Sequence, residues 1–165
     1  MVSLAGTATS KLQELLTAPS GLNTNLATLA QGESVSLSPV LPNQLFTENV
    51  SSDIAERSVE PQYTAVYIYC NKIENALTEK FRSFSGTIEM TIDVRVSQDR
   101  LEGIDQASQL YSTGVTQTLD QNRGDWGQGL FFAGRYEVSF GPVKHGGRNF
   151  IKSAKISIQL DASVD

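Results

Sequence analysis

The stretch "TIEMTIDVRVS", Thr87 to Ser97, decides the fold. Ile88, Met90, Ile92, Val94 and Val96 fall on one side of an extended chain, and Thr87, Glu89, Thr91, Asp93 and Arg95 on the other. This alternation is the period of a β-strand with one face on a core and the other toward solvent. Ile88–Val96 alone would span ~30 Å, longer than most strands. Long strands in a small sheet leave edges that must be covered or paired, and a neighbouring subunit is one such cover.

The flanking segments fit around this strand. "YTAVYIYCN" (Tyr63–Asn71) is β-branched and aromatic, which predicts a buried strand. "QDRLEGIDQASQLYSTGVTQTLDQN" (Gln98–Asn122) places Leu101, Ile104, Ser108, Tyr111, Val115 and Leu119 on one stripe. It predicts a long amphipathic helix capped by Asp99, with Gly114 at a close packing contact. "LFFAGRYEVSF" (Leu130–Phe140) and "FIKSAKISIQLDA" (Phe150–Ala162) predict two further strands. In the last, Ala154, Ile156, Ile158, Leu160 and Ala162 face one way, against Ser153, Lys155, Ser157, Gln159 and Asp161. The expected fold is therefore α+β: a β-β-α-β-β core, a mainly antiparallel four-stranded sheet backed by the long helix.

Residues 1–165 are expected to form a single domain. Residues 1–33 read as two short helices, "TSKLQELLTAPSG" with Ser10 as cap and "SGLNTNLATLAQG" with Leu22, Leu26 and Leu29 in line. Residues 34–62 read as an extended loop or arm, with one short strand around Val35–Leu37, and 63–165 as the α+β core. A loop of that length inside a compact domain is usually functional.

Composition bounds the function. No run approaches the roughly 20 apolar residues of a membrane span, and no basic start precedes an apolar core, so neither a membrane segment nor a secretory signal is expected. One cysteine, Cys70, leaves no intramolecular disulfide and no multi-cysteine metal site. The net charge of −5 argues against a nucleic-acid binder. The charge is uneven: residues 1–120 hold 7 basic and 14 acidic side chains, residues 121–165 hold 6 and 4. Lys144, Arg148, Lys152 and Lys155 form a basic run, and Glu48, Asp53, Glu56 and Glu60 an acidic one with Arg57. Opposite patches on one chain suit a head-to-tail contact between copies.

The chemistry-bearing stretch is "QNRGDWGQGLFFAGRYEVSFGPVKHGG", Gln121 to Gly147, with the only Trp and the only His. Its glycines follow a helix and precede a strand, the reverse of a phosphate cradle. "RGD" at Arg123–Asp125 reads as a local ion pair or subunit contact, and Trp126 as a core plug or an interface anchor. His145 has no nearby acid or nucleophile in sequence and reads as a solvated hairpin residue. Asp99, Glu102 and Asp105 read as a helix start that suits the dipole rather than a metal site. No catalytic, metal or cofactor set is expected. The candidate residues are interface positions: Arg123, Asp125, Trp126, Lys144, His145 and Arg148.

Several runs together resemble the tail-terminator (tail-completion) proteins of long-tailed bacteriophages. These are "DRLEG", "NRGDWGQGLFFAG", "YEVSFGPVKHGGRNF" and a last strand opening "KSAKI", within Val66 to Leu160. The resemblance implies a small α+β subunit closing into a six-fold ring that caps the head-proximal end of the tail tube and stops its polymerisation. Implied partners are further copies of the chain, the tail tube protein, the neck or head-completion protein and, in a contractile tail, the sheath. DNA would pass through the ring without specific binding, which the acidic balance suits. The implied location is the virion neck, after assembly in the host cytoplasm. Alternatives are another neck or connector ring, and a small-ligand-binding or enzymatic α+β domain with its pocket between sheet and helix.

Overall fold

A computed structural model describes residues 3–51, 63–146 and 148–165. Three α-helices occur among them, α1 (Leu4–Thr17), α2 (Leu22–Gly32) and α3 (Ile104–Gln121). The strands are β1 (Leu45–Phe46), β2 (Tyr63–Asn75), β3 (Phe84–Gln98), β4 (Gly124–Gly127), β5 (Leu130–Phe132), β6 (Tyr136–Phe140), β7 (Lys144–Gly146) and β8 (Asn149–Val164).

The expected four-stranded, mainly antiparallel sheet is corrected: the fold is α+β with three helices and one eight-stranded mixed sheet. The order is β1-β2-β3-β8-β5-β4, with β6 and β7 also on β8. The mixture arises because β1, in the arm, runs parallel to β2 at Leu45↔Val66 and Phe46↔Tyr67. The segment expected as one strand over Leu130–Phe140 is two, broken at Gly134, whose φ of 99° a strand residue does not adopt. β4 and β7 are hairpin partners too short to show a period in sequence.

β3 is the centre, paired with β2 from Tyr63↔Ser97 to Asn75↔Gly86 and with β8 from Phe84↔Val164 to Gln98↔Phe150. Its apolar side meets Val66 and Ile68 of β2 and Ile156, Ile158 and Leu160 of β8. The helices cover this face with Leu12, Leu16, Leu22, Leu26, Tyr111, Val115 and Leu119. α3 begins at Ile104 after Gly103 rather than at Asp99, because residues 99–103 turn first and Gln98 Nε2 bonds the carbonyls of Arg100 and Glu102. α1 begins at Leu4, capped by Ser3, whose Oγ accepts from Gly6 N at 3.2 Å; Ser10 lies inside the helix.

The arm contains no strand at Val35–Leu37. Asn23 holds it at Val40 by two bonds of 2.8 and 2.9 Å, and the Tyr111 hydroxyl donates to Ser38 O at 2.7 Å. Burial pushes the Tyr111 hydroxyl pKa up. A raised folded pKa keeps its stabilising effect below the unfolded value and loses it as pH rises further. The fold therefore weakens above about pH 10. In Tyr111→Phe this alkaline loss is expected to shrink, which thermal unfolding between neutral and alkaline pH checks.

Gly114 sits where α2 crosses α3: a Cβ there would lie 2.8 Å from Leu26 Cδ2. Gly114→Ile is expected to cost about 1–3 kcal/mol by overpacking. A Cβ at Gly32, by contrast, would meet nothing within 4 Å, and Gly32→Ala should be neutral or stabilising by up to about 1 kcal/mol. Urea denaturation of the two variants checks both signs.

Candidate functional site

The six candidate residues do not form one site. Arg123, Asp125 and Trp126 belong to β4 and its approach, and β4 reaches β8 through β5 at Leu130↔Ala162 and Phe131↔Asp161. Lys144 and His145 pair with Ile151 and Phe150 at the other end of β8. From Phe150 to Asp161 an extended strand covers roughly 35 Å. Arg148 is exposed just before β8, beside the β7 hairpin.

Each residue of the first group already has local work. The Arg123 guanidinium bonds Asp120 in the last turn of α3, and Tyr136 donates to the other Asp120 oxygen at 3.3 Å. Arg123 also lies against Gly134, where a Cβ would come within 2.7 Å of its Nε. Asp125 accepts from Gly127 N at 2.7 Å, closing the turn into β5. Trp126 is buried, donates from Nε1 to Asn122 O at 2.7 Å and packs on Phe132 at 5.3 Å. Of its two readings, the structure shows the core plug. In the second group, His145 is exposed and stands edge-on to Phe150 at 4.9 Å. Asp53, Glu56, Arg57 and Glu60 of the acidic patch lie outside the described residues.

The unexpected cluster is on the opposite face of the sheet from the helices. β3 is not half-exposed: Thr91, Asp93, Arg95 and Ser97 are all buried. Arg95 Nε and Nη2 bond Asp93 Oδ2 at 3.1 and 3.0 Å, and Nη2 also bonds Val50 O of the arm. The guanidinium lies 4.0 Å over the Tyr67 ring, which in turn stacks on Phe46 of β1. An ion pair on β3 thus clamps the arm to the sheet. Asp93 Oδ1 and Arg95 Nη1 have no hydrogen-bond partner among the described residues. Beside the pair is a pocket of about 270 Å3, walled by Tyr69, Lys144, Ser153 and Lys155 among others. It lies on the opposite face from the sheet–helix interior, where the ligand-binding alternative expects a pocket and where the apolar core packs. Among the described residues no group of three or more His, Cys, Asp or Glu is placed to hold a metal ion. No described helix is long and apolar enough to cross a membrane.

Besides the short end strands β1, β4 and β7, two longer stretches of sheet edge lack a neighbour among the described residues. β2 is covered only at Val66 and Tyr67, so Ile68 to Asn75 is open on that side, and residues 71–75 are exposed. β6 pairs with β8 alone, and its outer side is open from Tyr136 to Phe140. Exposed apolar side chains gather near both edges: Ile73, Leu77 and Phe81 at the β2–β3 end, Tyr136 and Phe140 on β6. Sequence reading missed these residues because it ended the first strand at Asn71 and ran β5 into β6. The signal available was the spacing of Lys72 with Glu74 and of Arg135 with Glu137. The sequence matches no known family model, and a search of curated proteins found no similar one.

Removing Arg95 takes from buried Asp93 the cation that hydrogen-bonds it. Arg95→Ala is expected to lose about 3–5 kcal/mol, while Asp93→Leu/Arg95→Met recovers most of it, as measured by urea denaturation.

Proposed function

We propose that this chain is a structural virion protein that acts by closed self-association, forming a ring on the head-proximal end of a phage tail tube. In this reading it halts tube polymerisation and offers its free side to the neck or head-completion protein. The copies form a hexamer, DNA passes through the hole without specific contacts, and the protein resides in the virion neck after assembly in the host cytoplasm. A sheath protein is a further partner where the tail contracts. The chain has no catalytic role in this account.

The observation that supports the reading is that, among the described residues, one sheet has an open edge along β2 on one flank and another along β6 on the other. A surface with two different open edges suits head-to-tail contacts, and head-to-tail contacts close into rings when the rotation allows. The resemblance of Val66 to Leu160 to tail-terminator proteins supplies the choice of ring.

Tail tube protein polymerising in the presence of the purified chain tests this. Elongation is expected to stop, with a ring at one tube end in negative-stain micrographs. Tubes that grow to the same length with and without the chain would refute the capping role.

A further inference from the structure

We infer that copies of this chain join by pairing the open edge of β2 in one with the open edge of β6 in the next, antiparallel, with Ile73 opposite Tyr136. The inference is drawn from the edges alone and names a contact for the ring proposed above.

Direction comes first. β2 is antiparallel to β3, β3 to β8, and β8 to β6. β2 and β8 therefore run one way, β3 and β6 the other. A neighbour related by rotation about an axis presents its β6 antiparallel to this β2, so the four-strand alternation continues without inverting a subunit. Both apolar faces also stay on the same side of the joined sheet.

Faces come next. Ile73 pairs with Ile88 and Tyr136 with Ile158, so both lie on the helix-bearing face. Lys72 pairs with Glu89, Glu74 with Thr87 and Glu137 with Ser157, so these lie on the other face. A register that offsets the strands by one residue would set apolar against polar positions and is excluded.

Charge then chooses among the registers that remain. With Ile73 opposite Tyr136, Lys72 faces Glu137 and Glu74 faces Arg135, a square of alternating charge. Sliding two residues one way, to Ile73 opposite Val138, sets Glu74 against Glu137. Sliding the other way, to Ile73 opposite Gly134, sets Lys72 against Arg135. The parallel pairing centred on Ile73 and Tyr136 makes both of those like-charge contacts at once. Like charges directly opposite destabilise a strand pair and opposite charges support it. In the single chain Lys72 and Glu74 pair with each other at 2.6 Å. Arg135 and Glu137 are exposed and form no ion pair among the described residues. The square gives all four a partner, and the joined strands cover Ile73 and Tyr136, exposed by 45% and 39% in the single chain.

Cross-linking of the full chain tests the register. In a Cys70→Ser background, Ile73→Cys with Tyr136→Cys places thiols on directly opposed residues, within disulfide reach of about 4.5–5.5 Å between Cα atoms. Mild oxidation is expected to give a ladder of disulfide-linked multimers. The register-shifted control, Ile73→Cys with Val138→Cys, is expected to stay monomeric on the same gel. A second pair of variants guards against misfolding: Lys72→Glu is expected to weaken self-association at least about fivefold, and Lys72→Glu/Glu137→Lys to restore it. No ladder from pure protein, equal ladders in both registers, or a charge reversal without rescue would each overturn the inference. The capping proposal fails separately: a chain that ladders in this register yet leaves tubes to elongate keeps the contact and loses the cap.

Discussion

Fifteen consecutive cross-strand pairs join β3 to β8, and nearly everything else in this chain is hung on that ladder. One face supplies Ile88, Met90, Ile92, Val94, Ile156, Ile158 and Leu160 to the core, so the three helices have a single apolar floor to cover. The other face would be solvated in a simple two-layer protein. Here its β3 part from Thr91 to Ser97 is buried, with the Asp93–Arg95 pair, the ring of Tyr67 and the arm at Val50 packed there, while Glu89 and the β8 residues Lys155, Ser157, Gln159 and Asp161 stay exposed. A buried ion pair adds little net stability over apolar side chains of the same size. Its effect in this fold is positional: Arg95 supplies the donor that fixes the arm's carbonyl over the sheet.

The length of β8 also separates what the chain does at each end. Strands β5, β6 and β7 sit one after another along its outer side, each too short to cover it alone. The Trp126 end is closed by its own packing, and Arg123 and Asp125 are used in local bonds. The middle, at β6, ends in an open edge with exposed aromatics. On the far side, β2 outruns β1, its outer partner among the described residues, by Ile68 to Asn75. Open edges are the places where a sheet accepts another strand, and among the described residues β2 and β6 offer two that run in opposite directions.

Much of the core was legible in the sequence. The apolar face of Thr87–Ser97, the α3 stripe from Ile104 to Leu119 and the two faces of Phe150–Ala162 appear as read, because burial on one face forces a period. Gly114 was readable as a close contact for the same reason. What failed has physical causes. Asp93 and Arg95 look like solvent-facing residues until the arm and Tyr67 are placed over them, which no local pattern records. β1, β4 and β7 span two to four residues, too few to show a period. That Arg123–Trp126 and Lys144–Arg148 lie at opposite ends of β8 was not legible, because residues near in sequence are held apart only by the long strand they pair along. Of the residues now of most interest, Lys72 to Glu74 lie where the apolar alternation of the first strand fades, so it read as ending at Asn71, and Arg135 to Glu137 were read within one strand that Gly134 in fact breaks.

Amide hydrogen exchange of the native chain, followed from dilute to concentrated solution, tests the pairing of the two edges most directly. The account predicts that the backbone amides of residues 71–75 and 136–140 slow together as scattering mass rises. Association that leaves both segments exchanging at their dilute rates, or that protects one edge alone, would contradict it.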